Sequence, residues 1–362
     1  MSMQHTHPAE EAETRAGSDN DAPRISTWRI AVAWVVGILA LIVIAVASVF
    51  MGTASLTVPE VLGTFGLGGY EAPSLLRQSI LLELRIPRIL MAIVVGAALA
   101  VAGACLQTVT RNALAEPYLL GISGGSSVGA VAVIVLGISG AIGVTGGAMI
   151  GGLAAFGLLM ILLRGSGFQS ARVVLTGVLV GQFSQAIMYM LMFAKGDADA
   201  IQSITAWLLG ALGTSRWDQL ALTAPVCAVA VIILWALSRY LDVLSLGDDT
   251  AESMGVPVVW TRAAVLVIVA LLTASTVAAV GAIGFVGLIV PHAVRMLVGS
   301  AHRHVIPLAA LVGGILLVLA DAVARILFDA QELPVGVITA LIGVPVFFVI
   351  LRRGQRAKGR AA

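Results

Sequence analysis

Long apolar stretches, separated by short polar segments, recur along almost the whole chain. A helix needs about 20 apolar residues to cross the hydrocarbon core of a bilayer. Ten stretches approach this length and predict ten membrane-spanning helices, at residues 30–50, 88–109, 117–138, 141–163, 172–193, 218–239, 260–281, 283–299, 305–327 and 334–351. The predicted fold class is an all-α polytopic membrane protein, with residues 29–353 forming one transmembrane domain.

The composition supports this prediction and excludes other classes. Of the 362 residues, 59% are hydrophobic and only 11% are charged, whereas a soluble domain carries about 25% charged residues. The formal net charge of +2 gives no support for a nucleic-acid partner. Cys105 and Cys227 lie in apolar stretches, so we interpret them as small buried hydrophobic side chains and predict no metal site.

Three segments do not fit the spanning pattern. Residues 1–28 are polar and predict a disordered tail, and residues 354–362 form a short basic tail. Residues 196–216 are too short and too mixed to cross. They predict a loop on the outer face with a short interfacial helix anchored by Trp207.

The distribution of positive charge predicts the orientation. With ten spans both termini lie on the same side, and fifteen of the 21 Lys and Arg residues fall in segments on that side. The positive-inside rule then places both termini in the cytoplasm of a multi-pass protein of the inner or plasma membrane. The six outer positive residues are Arg77, Arg85, Arg88, Lys195, Arg216 and Arg325.

Glycines spaced four residues apart predict close helix packing within the chain. Small residues at this spacing allow helix backbones to approach each other. They occur in the third, fourth and fifth spans, at Gly125 and Gly129, at Gly143, Gly147 and Gly151, and at Gly177 and Gly181.

The sequence lacks the residues of a nucleotide-hydrolysing enzyme. A Walker A loop needs a lysine followed by Ser or Thr, but glycine follows both Lys195 and Lys358. We therefore predict that the chain is not an enzyme and binds no cofactor.

Polar groups within the spans are few and mostly neutral. Asp321 and Arg325, four residues apart, predict a local ion pair on one helix face. Gln107, Gln182 and Gln185 are predicted to line a pathway for a bulky polar solute, although interhelical hydrogen bonds explain each of them equally well. An ion-coupled secondary transporter would need charges near the midplane, so that class is a weaker alternative.

A short helix is predicted in the loop between the sixth and seventh spans. In "LSLGDDTAESMGV" at 244–256, Asp249 can cap the helix start and Glu252 can complete a capping box. Gly255 can end the helix. Such a helix suits contact with another protein, but an ordinary connector would have the same pattern.

Three stretches, taken in order, resemble signatures of one family. They are "LRIPRILMAIVVGAALAVAGACLQTVTRNALAEPYLLGISGG" at 84–125, the loop at 244–256 just quoted, and the stretch at 281–351 that begins "GAIGFVGLIVPHAVRMLVGS". They closely resemble the iron-chelate and cobalamin ABC importer permeases, the FecCD family. One departure is Ala113, where that family usually has proline.

The resemblance implies a type II ABC importer permease that pairs with a second permease subunit, identical or related, around a central passage in the lipid membrane. Two cytoplasmic ATPase subunits would carry the ATP and Mg and grip the loop helix, and an extracytoplasmic binding protein would deliver substrate. The residues implied in ATPase coupling are Leu246, Gly247, Asp248, Asp249, Ala251, Glu252, Met254 and Gly255.

The resemblance also implies two further sites. Asn112 and Leu114 after the second span, with Ser170 and Ala171 before the fifth, would form a cytoplasmic gate. Three outer arginines would dock the binding protein, namely Arg85, Arg88 and Arg325. From charge alone, binding to lipid headgroup phosphates or local pairing with Glu83 and Asp321 is an open alternative for these arginines. We expect them to reach water because they lie at the outer ends of their spans, where a guanidinium can hold a carboxylate of a partner bidentately. The predicted function is import of a ferric siderophore, with heme or cobalamin as the alternative.

Overall fold

The computed structural model describes residues 27–52, 54–138, 141–164, 170–195, 198–328 and 332–358. The predicted N-terminal tail lies outside the described residues except for its last two, which are helical. The final helix continues to Lys358, so the first part of the predicted basic tail is helical, and its last four residues lie outside the described part of the chain.

Fourteen helices, with a 3-10 helix at Pro117–Leu120, make up the regular structure of the described residues. In chain order they are α1 Thr27–Phe50, α2 Val58–Thr64, α3 Leu75–Val109, α4 Ile122–Val135, α5 Ala141–Leu162, α6 Ser170–Lys195, α7 Ala198–Leu208, α8 Trp217–Ala236, α9 Ser238–Leu244, α10 Asp248–Ser253, α11 Val258–Val280, α12 Val286–Val298, α13 His302–Ile326 and α14 Val335–Lys358. A π-helical segment at Ile80–Arg85 lies within α3.

Ten of these helices correspond to the ten predicted spans, so the fold class is confirmed. Seven are long and apolar enough to cross a membrane, namely α1, α3, α5, α6, α8, α11 and α13, and three shorter apolar helices are α4, α12 and α14. Because successive spans alternate in direction, the connections alternate between two ends of the bundle. We name these the α10 end and, after Arg85, Arg88 and Arg325, the arginine end.

Helices α4 and α12 are too short to cross a bilayer alone. Their 14 and 13 residues give about 20 Å of rise, against about 30 Å of hydrocarbon. Helix α4 is preceded by a 3-10 helix at Pro117–Leu120 and α12 by irregular backbone, and these two segments bind each other. The Tyr118 hydroxyl donates to the Ile283 carbonyl at 2.9 Å and accepts from the Ile283 N–H at 2.8 Å, while the Phe285 N–H donates to Glu116 at 2.6 Å. Backbone groups that a broken helix leaves free are thus satisfied within the protein.

Helix α3 lies at the centre of the bundle and packs against α8, α11, α12 and α13. Most of its residues after Ile86 are buried. Two glycine contacts allow its close approach: a Cβ on Gly96 would lie 2.2 Å from the Gly313 carbonyl oxygen, and one on Gly103 would lie 1.9 Å from that of Gly287.

The predicted glycine spacing does pack helices within the chain. A Cβ on Gly129 would lie 1.9 Å from the Gly147 carbonyl oxygen, and one on Gly125 would lie 2.4 Å from that of Gly151. Gly177 meets the Leu119 carbonyl in the same way. Helices α4, α5 and α6 therefore touch backbone to backbone.

Helix α7 is the short helix predicted between the fifth and sixth spans. The predicted role of Trp207 as an interfacial anchor stays a prediction. Its indole is half-buried and packs against Ala130, Ala148 and Ala278 of the bundle, because these small side chains leave room for a large ring. Trp207 therefore fastens α7 to the neighbouring helices.

Candidate functional site at the two ends of the bundle

A buried carboxylate organises the arginine end. Asp321 in α13 accepts hydrogen bonds from Arg88, whose Nε and Nη2 lie 3.0 and 2.9 Å from Oδ1. Arg325 approaches the other oxygen, with Nε 3.1 Å from Oδ2, which confirms the predicted ion pair. Arg88 also binds Glu332 at 2.6 Å. Buried charges are stable only when they are paired in this way.

The remaining donors of the cluster bind the end of α1. Arg325 Nη1 donates to the Met51 carbonyl at 2.8 Å, and its Nη2 donates to Ser48. Arg85 donates to the carbonyls of Val49 and Ala54. Carbonyl groups at a helix C-terminus carry partial negative charge, so guanidinium groups stabilise that end.

The predicted exposure of the three arginines is therefore wrong. Arg85, Arg88 and Arg325 are only 6%, 9% and 4% exposed, because Asp321, Glu332 and the end of α1 enclose them. A small cavity of about 270 Å³ lies beside them and is lined in part by Gly52, Leu84 and Gly213. Their role in docking a binding protein stays a prediction.

Gln107 does not line a pathway in this structure. It is buried, its Nε2 donates to the carbonyls of Gly287 and Leu288 at 3.2 and 3.3 Å, and its Oε1 accepts from Arg295 at 2.6 Å. The side chain joins α3 to α12. For this residue the interhelical hydrogen bond, which the sequence allowed equally, is correct.

Gln182 and Gln185 lie on an exposed face of α6. They border a cavity of about 410 Å³ whose other polar lining residues include Tyr118, Ser127 and Tyr189. Amide groups in contact with lipid tails would lose hydrogen bonds to water. This face therefore suits water or a partner surface better than lipid, as expected for the lining of a pathway.

Helix α10 has the predicted position but a different start. Gly247 is its N-terminal flanking residue, with φ of +116°, and the helix begins at Asp248, so the predicted capping box of Asp249 and Glu252 is wrong. The predicted end is correct. The Gly255 N–H donates to the Glu252 carbonyl and the Val256 N–H to that of Ala251, at 2.9 and 3.0 Å, which is a Schellman motif with glycine in the left-handed conformation.

The residues implied in ATPase coupling divide into an outer and an inner set. Leu246 and Met254 are 62% and 59% exposed, and Asp249, Glu252 and Gly255 are exposed with them. Ala251 belongs to the inner set, because it is fully buried against Leu244, Val256 and Val258. Ala251 anchors α10, so we correct its predicted place on the contact surface.

Asp248 points inward to two arginines. Its Oδ1 lies 2.9 Å from Arg111 Nη2 and 2.8 Å from Arg262 Nη2. Arg111 immediately follows α3, and Arg262 lies in the first turns of α11. One carboxylate thus connects α10 to two spanning helices.

The predicted gate residues lie at the same end of the bundle. Asn112 accepts a hydrogen bond from the Leu114 N–H at 2.9 Å, and the Leu114 side chain is exposed. Ser170 and Ala171 form the first turn of α6. Seven residues after Ser170, Gly177 packs on the Leu119 backbone. The gating role of these four residues stays a prediction.

Residues missed by the sequence analysis form a further connection at the α10 end. Asp242 in α9 accepts from the His302 backbone N–H at 2.8 Å and lies 2.6 Å from His302 Nδ1. His302 Nε2 lies 2.7 Å from Thr108 Oγ1 in α3. Partial burial raises the pKa of Asp242, but the hydrogen bonds from His302 outweigh it and hold that pKa below its ordinary value. The sequence offered only one signal for this connection, namely the histidine at the start of α13, His302.

Ten apolar helices, with a capped helix in one connection and polar side chains on an exposed spanning face, define the membrane subunit of a transporter. The chain matches the model of the FecCD transport family over residues 39–353 and belongs to that family. It is thus an ABC importer permease.

Relatives of this chain are named for different substrates. A cobalamin import system permease of Halobacterium salinarum is 43% identical over 76% of this chain and 74% of its own. A hemin transport system permease of Yersinia pestis is 35% identical over 78% and 84% of the two chains. An Fe(3+) dicitrate transport system permease of Escherichia coli is 37% identical over 76% and 85%.

A solved structure has the same fold over most of its length. It is an inward-facing conformation of a transporter assigned to the metal-chelate type, with a TM-score of 0.77 and 34% identity, covering 88% of this chain and 97% of the other.

Proposed function

We propose that this chain forms the membrane pathway of an ATP-driven importer for an intact ferric siderophore. The observation that carries the proposal is the surface of α10, where Leu246 and Met254 expose large apolar side chains outside the spans. Asp248 and Ala251 fix that helix to the bundle. A rigidly mounted helix with apolar contacts suits docking to a moving ATPase subunit.

The orientation follows from charge. The α10 end holds Arg111, Arg239, Arg262 and Arg303, and the positive-inside rule places it in the cytoplasm. The ATPase subunits would then meet α10, and a binding protein would meet the arginine end. The three arginines are already paired. An acidic group of a binding protein would therefore have to compete with Glu332 for Arg88.

The exposed face of α6 supports pairing with a second permease subunit. Gln182, Gln185 and Tyr189 lie on this face, together with Phe193, which is 92% exposed. A groove of about 660 Å³ between α7 and α14 lies beside it and is lined by apolar residues such as Leu341 and Val344. We propose that two copies, or this chain and a related one, enclose the passage between these faces.

The substrate is the finer part of the proposal. Neutral amide, hydroxyl and phenol groups around Gln182 suit a large chelate that keeps its own metal ligands. A ferric siderophore, heme and cobalamin share that property. The relatives named for cobalamin and hemin make the latter two the second candidates.

The test is transport by the complete importer in proteoliposomes. Permease, ATPase and binding protein are reconstituted and supplied in parallel with labelled ferric siderophores, heme and cobalamin. We expect ATP-dependent accumulation of a ferric siderophore, and none when the ATPase lacks its Walker A lysine. Accumulation of heme or cobalamin alone would favour the second candidates. Uptake driven by an ion gradient without ATP would contradict the importer itself.

A further inference from the structure

The carboxylate of Asp248 joins three segments at the α10 end. Its two guanidinium partners differ in their freedom to move: the Arg262 side chain is 3% exposed and that of Arg111 is 43% exposed. Arg262 also contacts Oδ2, with Nη1 at 3.3 Å. The pair with Arg262 is therefore the fixed side of the contact, and the pair with Arg111 is the adjustable side.

The backbone of Arg111 is in a conformation that glycine usually provides. The Arg111 N–H donates to the Thr108 carbonyl at 3.1 Å and the Asn112 N–H to that of Gln107 at 3.0 Å, so α3 ends in a Schellman motif. The left-handed position of that motif is normally glycine, and Arg111 occupies it with φ of +46°. A strained side-chain-bearing residue persists where its surroundings hold it, and such positions concentrate at functional sites.

A second contact joins the same segment to α3. Asp242, six residues before Asp248, reaches Thr108 through His302. The segment that carries α10 is thus fastened to the end of α3 at Thr108 and at Arg111. The exposed Leu114 lies only three residues beyond Arg111.

We propose that the Asp248–Arg111 ion pair transmits displacement of α10 to the loop at 111–115 and so sets the position of Leu114. This inference rests on the proposed function, because an ATPase subunit must supply the displacement. Arg111 is a positioning residue. Its guanidinium follows Asp248, and its strained backbone carries the movement into the three residues that follow, up to Leu114.

The test follows the accessibility of a cysteine at position 114 in the full complex. Buried Cys105 and Cys227 are first replaced by alanine, Leu114→Cys is added, and the complex with ATPase and binding protein is placed in nanodiscs. Labelling by a polar maleimide is measured without nucleotide and with MgATP plus vanadate. Arg111→Gly removes the guanidinium and relieves the backbone, and Arg111→Lys keeps a positive charge. Arg239→Ala, at an exposed arginine of the same end, is the matched control.

We expect the ratio of the two labelling rates to fall towards one in Arg111→Gly, to recover in part in Arg111→Lys and to be unchanged in Arg239→Ala. ATP hydrolysis should continue in every variant. A normal ratio in Arg111→Gly, with a complex that still hydrolyses ATP, would overturn the link and leave the proposed function intact. The link and the proposed function would both be overturned if the parent complex did not assemble with the ATPase, or if its labelling rate did not change with nucleotide.

Discussion

At the scale of single residues, Asp321 holds two guanidinium groups in a buried polar cluster at the arginine end. Its side chain is 2% exposed, and that of Arg88 is 11% exposed. Removing one member of a buried ion pair leaves the other charge without compensation. The arginines predicted to dock a binding protein are thus also structural, so a docking defect in an arginine variant can be interpreted only when stability is measured with it.

Arg88→Ala should destabilise the chain by about 3–5 kcal/mol, because Asp321 loses its bidentate partner while it stays buried. Arg77→Ala is the matched control. Arg77 pairs with Glu60 at 2.7 Å, but its side chain is 42% exposed, and exposed pairs contribute about 0–1 kcal/mol. Denaturation in detergent measures both changes. Equal losses in the two variants would contradict the structural role of Arg88.

Substitutions at Arg111 separate the effect of its backbone strain from the effect of losing its guanidinium. Arg111→Gly should be more stable than Arg111→Ala by about 1 kcal/mol, since both lack the guanidinium and only glycine adopts a positive φ without strain. Gly255 is the reverse control, because its φ is +80° and an added Cβ would meet open space, so that only backbone strain opposes alanine there. Gly255→Ala should lose about the same amount. Thermal denaturation of the three variants checks the signs.

At the scale of helices, close packing depends on a few glycines. Gly129→Ala should destabilise the contact of α4 with α5 by about 1–3 kcal/mol, because overpacking forces the backbones apart. Gly146 lies on α5 in open space, so Gly146→Ala should be neutral or slightly stabilising owing to helix propensity. Melting temperatures in one detergent compare the two. A neutral Gly129→Ala would mean that α4 and α5 are not in backbone contact.

Most of the helices could be predicted from the sequence, because length and hydropathy decide whether a segment spans a bilayer. Their interruptions could not. The break before α4 at Gly121 and the one before α12 depend on Tyr118, Glu116 and Ile283, which are distant in sequence. The side-chain partners of Gln107 and Arg88 were missed for the same reason, since a pattern along one helix does not show which helix faces it. The capping pattern predicted the short helix and its end at Gly255, but the start at Asp248 and the inward direction of that carboxylate needed the fold.

At the scale of the whole molecule, the polar face of α6 gives the remaining prediction. In a chain without its native cysteines, Gln185→Cys should form a disulfide between two copies under mild oxidation, because this face is proposed to meet a partner. Trp260→Cys is the control, at a position that is 79% exposed on α11. Non-reducing electrophoresis of membranes measures both. Cross-linking at position 260 alone, or at neither position, would contradict pairing of identical copies through α6.

The contacts at the end of α1 also constrain how the chain is made. Carbonyls of Val49 and Met51 are held by Arg85 and Arg325, and the second of these is synthesised 274 residues after Met51. During synthesis α1 enters the membrane long before its partner exists. The contacts of α1 at the arginine end are therefore complete only after α13 has been inserted, so the first helix to enter the membrane depends on one of the last. A chain interrupted before α13 would expose unpaired Arg88 and open carbonyls together, which is a surface that membrane quality-control proteases could recognise.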